Sequence, residues 1–204
     1  MILRASPKED SISMHYFPDA LEEAIKAKVK VYLLKGRPGD WEHTLRVVEF
    51  GKIFIERENG NPFFIIPALY LHDIGWSQTH YDDWLSTPFS KQEKCQAALF
   101  HQKKGAELAG EILEDLDYQP ELALKILDYI EIHDQPERIF ALNCLQATLC
   151  FEADRLDRFG ERGEKRLEEI FNDFQSEERA AFLRHGARQW FKTKTALSLL
   201  ESIT

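Results

Sequence analysis

The residues of this sequence that could do chemistry are histidines and aspartates placed on otherwise apolar helical stripes. His43 precedes Val47, Phe50 and Phe54 at helical spacing, so it faces the same side of a helix as they do. The other residues with this placement are His72 with Asp73 beside it, His101, His133 and Asp154. A buried polar group without a partner costs on the order of 1–3 kcal/mol. Because a domain is stable by only about 5–15 kcal/mol, these side chains are expected to satisfy one another or a shared ion.

The donor types in this set favour a divalent metal ion. Imidazole nitrogens and carboxylate oxygens suit Mn, Fe, Zn or Ni, and the set lacks the thiolates of a structural zinc site. A single histidine on an apolar face is more often a hydrogen-bonded core residue. Several helices that each direct a histidine or an aspartate inward favour convergence on a metal.

The sequence around these residues resembles the HD-domain superfamily of metal-dependent phosphohydrolases. The resemblance is carried by DWEHTLRVV around His43, LHDIG around His72, HQKKGAELA around His101 and ADRLD around Asp154. These words follow the family's order over about residues 40–160. The resemblance implies a bundle of α-helices that holds a hydrolytic metal centre.

The resemblance also implies which residues hold the metal. The matches to the ligands of one divalent ion are His43, His72, Asp73 and Asp154. His101 and His133 match positions that hold a second ion in two-metal members, where Asp73 would bridge the two; the alternative for His101 is a satisfied core histidine. The implied cofactor is one or two divalent ions per chain, drawn from Mn, Fe, Ni, Zn, Co and Mg.

The implied activity is hydrolysis of a small phosphate ester or anhydride, a nucleotide being the expected substrate, through metal-activated water. Asp73 is predicted to be a ligand and to accept the proton of the attacking water. Arg46, three residues after His43, is predicted to clamp a phosphate oxygen with its planar guanidinium, the alternative being a solvent-exposed or capping arginine. Asp157 is predicted to orient a ligand or Arg46, or else to form an ordinary salt bridge.

Two other functions fit the same pattern. Some relatives with this ligand order hold two irons and use O₂ to oxidise a substrate. A metal-stabilised helical module that binds a nucleotide or partner without turnover is the other alternative. The phrase ADRLDRFG resembles the hydrolase branch more, and the complete ligand set argues against a degenerate site.

The elements that must position these residues are predicted to be helices, which gives an all-α class. Helices are predicted over about 18–34, 40–57 with Asp40 as N-cap, 63–75, 92–116, 120–132 and 136–159, with one or two more in 160–204 broken near 175–176. A buried strand is the alternative for 63–75, whose proline is placed in the first turns of the helix. Residues 76–90 are predicted to form an irregular lid or binding loop, or a packed surface loop, with Trp76, His80, Tyr81, Asp82, Asp83 and Trp84 as its notable side chains.

Length and composition bound the remaining properties. The 204 residues (23.8 kDa) suit a single HD-type domain over 1–204, with a core of about 17–160 and a C-terminal helical extension of about 161–204. The net charge of −9 argues against broad nucleic-acid binding. The longest apolar run, 63–71, is too short to span a membrane.

The cysteines and the histidines outside the pattern add little. Three cysteines without a CxxC motif are typical of a reducing compartment, which predicts a cytoplasmic protein. His15 and His185 are interpreted as incidental. The basic stretch 179–194 is predicted to be a solvated face, with partner docking as the alternative. The oligomeric state is open, a homodimer being one option.

Overall fold

The computed structural model describes residues 16–79, 91–170 and 175–204, and in 91–95 the backbone alone. These ranges contain ten α-helices, one 3₁₀ helix and no β-strand, which confirms the predicted all-α class. The α-helices are α1 Asp19–Leu33, α2 Asp40–Glu58, α3 Pro62–Leu71, α4 Lys91–Asp115, α5 Pro120–Ile130, α6 Pro136–Ala141, α7 Leu145–Leu156, α8 Gly160–Ile170, α9 Ser176–Gln189 and α10 Lys194–Ile203. The 3₁₀ helix is Ile74–Gln78. His15 and the loop residues His80, Tyr81, Asp82, Asp83 and Trp84 lie outside the described residues.

Helix α3 is the centre of the bundle and packs against α1, α2, α5 and α7. Phe64–Leu71 are all buried, as a helix that is apolar all round requires. The helical prediction for this segment is correct in type, but α3 ends at Leu71 and Pro67 lies in its middle. Since Pro67 has no N–H for the carbonyl of Phe63, the Tyr118 hydroxyl donates to that oxygen instead, at 2.5 Å.

The start of α2 differs from the prediction by one residue. Gly39 is the N-cap, with a left-handed φ of 77° that favours glycine, and Asp40 is the first helical residue. The carboxylate of Asp40, fully buried, accepts hydrogen bonds from the backbone N–H of Arg37 at 2.7 Å and from the guanidinium of Arg166 at 2.6 Å. This contact ties the entry of α2 to helix α8.

The predicted helix over 136–159 is two helices, α6 and α7. Asn143 separates them with a φ of 48°, in the left-handed region that a continuing helix does not contain. The break turns α7 so that Asp154 and Asp157 lie on buried positions at its C-terminal end.

The described residues of the segment, 160–170 and 175–204, contain three helices rather than one or two. The predicted break near 175–176 is correct, and a second break follows Trp190. Glu152, fully buried in α7, causes this second break because its carboxylate accepts the backbone N–H groups of Lys192 and Thr193 and the Thr193 hydroxyl. Among all described residues, no helix is both long and apolar enough to cross a membrane.

Candidate metal centre

The first cluster of candidate ligands joins α2, the end of α3 and α7. His43 lies in the first turn of α2, and His72 and Asp73 follow directly after α3. One side-chain atom from each of these three residues lies within 4.8 Å of the others. Asp154 of α7 completes the group, with its Oδ1 at 3.2 Å from His43 Nε2 and 3.8 Å from His72 Nε2.

The second cluster joins Asp73 to α4 and the turn after α5. His101 of α4 and His133 face each other with their Nε2 atoms 3.3 Å apart. Each Nε2 also lies 3.6 Å from Asp73 Oδ1. The structure therefore brings all six sequence-predicted ligands together, and their role as ligands stays a prediction.

Asp73 stands between the two clusters and presents one oxygen to each. Its Oδ1 faces the second cluster, and its Oδ2 lies 3.7 Å from His43 Nε2 and 3.5 Å from His72 Nε2. Arg37 donates to Oδ2 at 2.5 Å and Trp76 Nε1 donates to Oδ1 at 3.1 Å. These two donors fix the plane of the carboxylate, so that one of its oxygens faces each cluster.

Close packing of two glycines brings Asp73 next to α4. A Cβ added at Gly75 would lie 1.9 Å from the His101 carbonyl oxygen and 2.5 Å from the Gly105 nitrogen, so only glycine fits there. Trp76, one residue on, stacks on the His101 ring with centroids 4.0 Å apart. The 3₁₀ helix is thus pressed against α4 at the level of the second cluster.

Three of the four histidines are held by their Nδ1 atoms. His72 Nδ1 contacts the Leu69 carbonyl and His133 Nδ1 the Ile130 carbonyl, both at 2.7 Å. His43 Nδ1 contacts Asp157 Oδ2 at 2.7 Å. Each Nδ1 that meets an acceptor carries the proton, so the Nε2 lone pair faces the cluster, as in histidines that bind metals.

The donor set fits divalent metal ions. His72 Nε2 and His101 Nδ1 are buried without a hydrogen-bond partner, and leaving such atoms unsatisfied costs about 1–3 kcal/mol each. Atoms bound about 2.1 Å from one ion lie roughly 3.0–3.4 Å from each other, and the closest pairs here are 3.2 and 3.3 Å apart. An ion in the first cluster would satisfy His72 Nε2. An ion in the second cluster would be bound by His101 Nε2 and would leave His101 Nδ1 without a partner.

The electrostatics of the centre favour ionised aspartates. Burial alone would raise the pKa of Asp73, but Arg37 and the surrounding histidines hold that pKa well below its usual range. Burial would also raise the pKa of Asp154, but Arg155 and the neighbouring histidines hold that pKa below its usual range. Both carboxylates are therefore charged and ready to bind a cation.

Each cluster contains one histidine whose pKa is raised, His43 or His133, and one whose pKa is lowered, His72 or His101. Burial lowers the pKa of His43, but hydrogen bonds to Asp154 and Asp157 raise it above its ordinary value. Burial and the neighbouring His133 lower the pKa of His101 to about 3. His101 is therefore neutral at physiological pH.

Arg46 lies behind His43 rather than in front of it. Its Nε and Nη2 donate to the two oxygens of Asp157 at 2.6 and 2.8 Å, and Asp157 also holds His43. Asp157, predicted to orient a ligand or Arg46, contacts both His43 and Arg46, and its role stays a prediction. The predicted phosphate clamp by Arg46 stays a prediction, and in this arrangement the guanidinium is already bound by a carboxylate.

A cavity of about 420 Å³ opens beside the centre, within the range of small-molecule sites. Its lining includes the charged residues Arg37, Asp134, Arg155, Arg158 and Arg166, together with His185. Sequence reasoning missed the arginines, although Arg155 directly follows Asp154 and Arg158 comes four residues after Asp154. It also interpreted His185 as incidental, whereas His185 lines this cavity.

Comparisons with known proteins agree with this arrangement. A family model described as HD domain matches residues 40–159, more than half of the chain. No curated protein matches the chain. A crystal structure from an uncultured Thermotogales bacterium, named as a predicted HD superfamily hydrolase, is similar with a TM-score of 0.54 and 22% identity over 90% of this chain and 83% of that one. At this identity the similarity concerns the fold.

Proposed function

Because the chain belongs to the HD domain family, whose members are generally hydrolases, we propose that it is a metal-dependent phosphohydrolase of a small phosphate ester or anhydride, with a nucleotide as the substrate. The observation that carries the proposal is the placement of Asp73, whose two oxygens face two separate histidine pairs. Dinuclear centres for phosphate chemistry use such a shared ligand to hold two ions close together.

The residues that would hold the ions follow from the two clusters. The first ion would be held by His43, His72, Asp73 and Asp154, and the second by Asp73, His101 and His133. Bound divalent ions supply Lewis acidity and an acidic water molecule. Because Arg37 and Trp76 occupy both oxygens of Asp73 and its pKa is low, the carboxylate is better suited to bind ions than to accept a proton.

Other properties of the protein follow as parts of this proposal. The cavity is lined both by residues of the predicted core, such as Arg37, and by residues of the predicted extension, such as Phe182, which supports a single domain over 1–204. A cytoplasmic location rests on the cysteine pattern, in which Cys144 and Cys150 are free thiols. The protein would act on its small substrate as a monomer or a homodimer.

The test starts from the metal content of protein purified anaerobically without chelator. Elemental analysis gives ions per chain, and release of phosphate or pyrophosphate is then measured from nucleoside mono-, di- and triphosphates with Mn, Fe, Co, Ni, Zn and Mg. We expect metal-dependent release that disappears in Asp73→Ala and persists in Asp128→Ala, an exposed carboxylate on α5.

Three outcomes would contradict the proposal. Two irons with O₂ uptake and no hydrolysis would favour the oxidative alternative. Binding of nucleotides without product under every ion would favour a binding module. A chain that retains no metal after reconstitution would mean that the buried histidines satisfy one another.

A further inference from the structure

The cavity beside the metal centre has an outer wall built mostly from outside the family-matched segment. Residues 40–159 match the family, whereas Arg166, Phe182, His185 and Trp190 of the wall belong to α8, α9 and the residue after α9. The inner wall carries Asp134 and Arg155, which contact the metal centre. A molecule that reaches the metal ions through this cavity therefore touches the C-terminal helices.

Arg158 is the cavity arginine least committed to partners within the protein. Arg37 and Arg166 bind Asp40, and Arg37 also binds Asp73. The side chain of Arg155 is 3% exposed and pairs with Asp134 at 2.7 Å and Asp154 at 3.0 Å.

The contacts of Arg158 to carboxylates are long by comparison. Its Nη2 lies 3.4 Å from Asp134 and 3.7 Å from Asp154, and its side chain is 20% exposed. An incoming anion can therefore engage this guanidinium without breaking a short ion pair. Since Asp154 also faces His43, such an anion would lie next to the metal centre.

Two aromatic rings stand beside this guanidinium. Phe182 and Trp190 pack edge to face with centroids 5.1 Å apart, and the Arg158 Cζ lies 5.9 and 5.6 Å from them. Trp190 is buried, whereas Phe182 is 37% exposed although it lines the cavity. A ring of a bound molecule could cover the exposed face of Phe182 and gain aromatic contact.

We propose that α8, α9 and the turn that precedes α8 form the specificity wall of the substrate cavity, with Arg158 of that turn as the residue that binds an anionic group and Phe182 of α9 as the contact for a planar ring attached to it. This proposal rests on the hydrolase function proposed above and assigns recognition to residues outside the metal centre. It gives the substrate two required parts, an anion next to Asp154 and a ring at α9.

Binding of two inert probes tests the proposal. The probes are phosphonate analogues of adenosine 5′-monophosphate and ribose 5-phosphate, in which carbon replaces the bridging oxygen so that neither can be hydrolysed. Calorimetric titration of the metal-loaded protein should show the adenosine analogue binding about fivefold more tightly, the scale of an aromatic contact. Phe182→Ala should remove this preference, and Arg158→Gln should weaken both probes about tenfold while keeping the preference.

Matched controls lie on α8 and α9. Arg184→Gln and Arg162→Gln each remove an exposed cation, from α9 and α8, that does not line the cavity among the described residues. Both should leave the two affinities unchanged. Circular dichroism melts check folding, and Arg158→Lys, which keeps the charge, should lose less affinity than Arg158→Gln.

The outcomes separate this proposal from the proposed function. Equal binding of the two probes to the unaltered protein, or a preference that survives Phe182→Ala, would overturn the specificity wall even where metal-dependent hydrolysis is observed. Equal loss in the Arg162→Gln control would reduce Arg158 to a general charge effect and overturn its role. The expected binding pattern without hydrolysis of any phosphate compound would leave the wall standing and overturn the hydrolase.

Discussion

The two candidate metal-binding clusters share Asp73 but differ in the groups behind their histidines. In the first cluster, Asp154 faces His43 Nε2 and Asp157 holds His43 Nδ1. In the second cluster, His101 Nδ1 is buried without a partner, and the nearest further carboxylate, Asp134, is bound by Arg155. Since Arg155 also pairs with Asp154 and Arg46 with Asp157, the clusters differ in the carboxylate behind His43 rather than in uncompensated charge.

This difference predicts an order of affinity between the two sites. A carboxylate behind a metal-binding histidine orients the ring and makes its nitrogen more basic, which strengthens the bond to the ion. His101 lacks such a partner, so its ring is positioned by stacking on Trp76 instead. We expect the first cluster to keep its ion under dialysis conditions that empty the second.

The largest effect should come from Asp73→Ala, because this change removes the residue common to both clusters. Elemental analysis should find no stoichiometric ion, and hydrolysis should fall to background. The helices should still form, since the change affects neither α3 nor α4 packing. Retention of one ion would show that one cluster binds metal without Asp73 and would contradict the view that both clusters depend on it.

His101→Ala should affect the second cluster alone. The metal content should fall from two ions per chain to one, because His43, His72, Asp73 and Asp154 remain in place. Titration of chelator-treated protein with Mn or Fe, followed by elemental analysis, measures the count. An unchanged count would mean that His101 is a core histidine and that the second cluster is not a site.

Asp157→Asn should weaken the first site by roughly 10–100-fold, the usual cost of losing a group that orients a ligand. The second site should keep its metal affinity, so the difference in affinity between the two sites should become smaller or change sign. Competition with a metal-binding dye over both sites gives the two constants. Equal weakening of the two sites would mean that Asp157 stabilises the fold as a whole rather than orienting the ring of His43.

Arg46→Gln separates two roles for this arginine. If Arg46 acts through Asp157, as their contacts at 2.6 and 2.8 Å suggest, the first site should lose several-fold in metal affinity. If Arg46 clamps a phosphate oxygen, as the sequence predicts, metal affinity should stay constant and KM should rise. Measuring both constants in the same preparation distinguishes the two.

The candidate metal centre could be predicted from the sequence because each of its residues interrupts an apolar stripe. His43, His101 and His133 lie on buried helical faces, and a buried polar side chain at helical spacing is visible in a single sequence. The helices themselves were predictable because their apolar residues recur at helical spacing. The break at Asn143 was missed because an ordinary residue with positive φ leaves no periodic signal.

The cavity could not be predicted in this way. Arg37 lies in the loop before α2, where no periodicity applies, and Phe182 lies on an exposed part of α9. Glu152 binds backbone N–H groups forty residues later in the chain, so the helix break that it causes follows from tertiary contact. Residues that meet only after the helices pack together leave no local pattern to recognise.

The pH dependence of stability should show the smallest of these effects. It compares His43 with His101, whose pKa values shift in opposite directions. The pKa of His43 is raised, so its contribution to stability is present below its ordinary value of 6.5 and lost as the pH rises through the folded value. The pKa of His101 is lowered to about 3, so its contribution is present above 6.5 and lost as the pH falls toward 3. Acidification from pH 7 should therefore cost stability at His101 and not at His43.

The measurement is the free energy of unfolding in urea at pH 7, 6 and 5, with chelator present. Between pH 7 and 5, stability of the unaltered protein should fall more steeply than that of His101→Gln, which cannot take up a proton at this position. His185→Gln, an exposed histidine on α9, should follow the unaltered protein. Parallel curves for His101→Gln and the unaltered protein would mean that His101 is no harder to protonate in the fold than in the unfolded chain, which would contradict its lowered pKa.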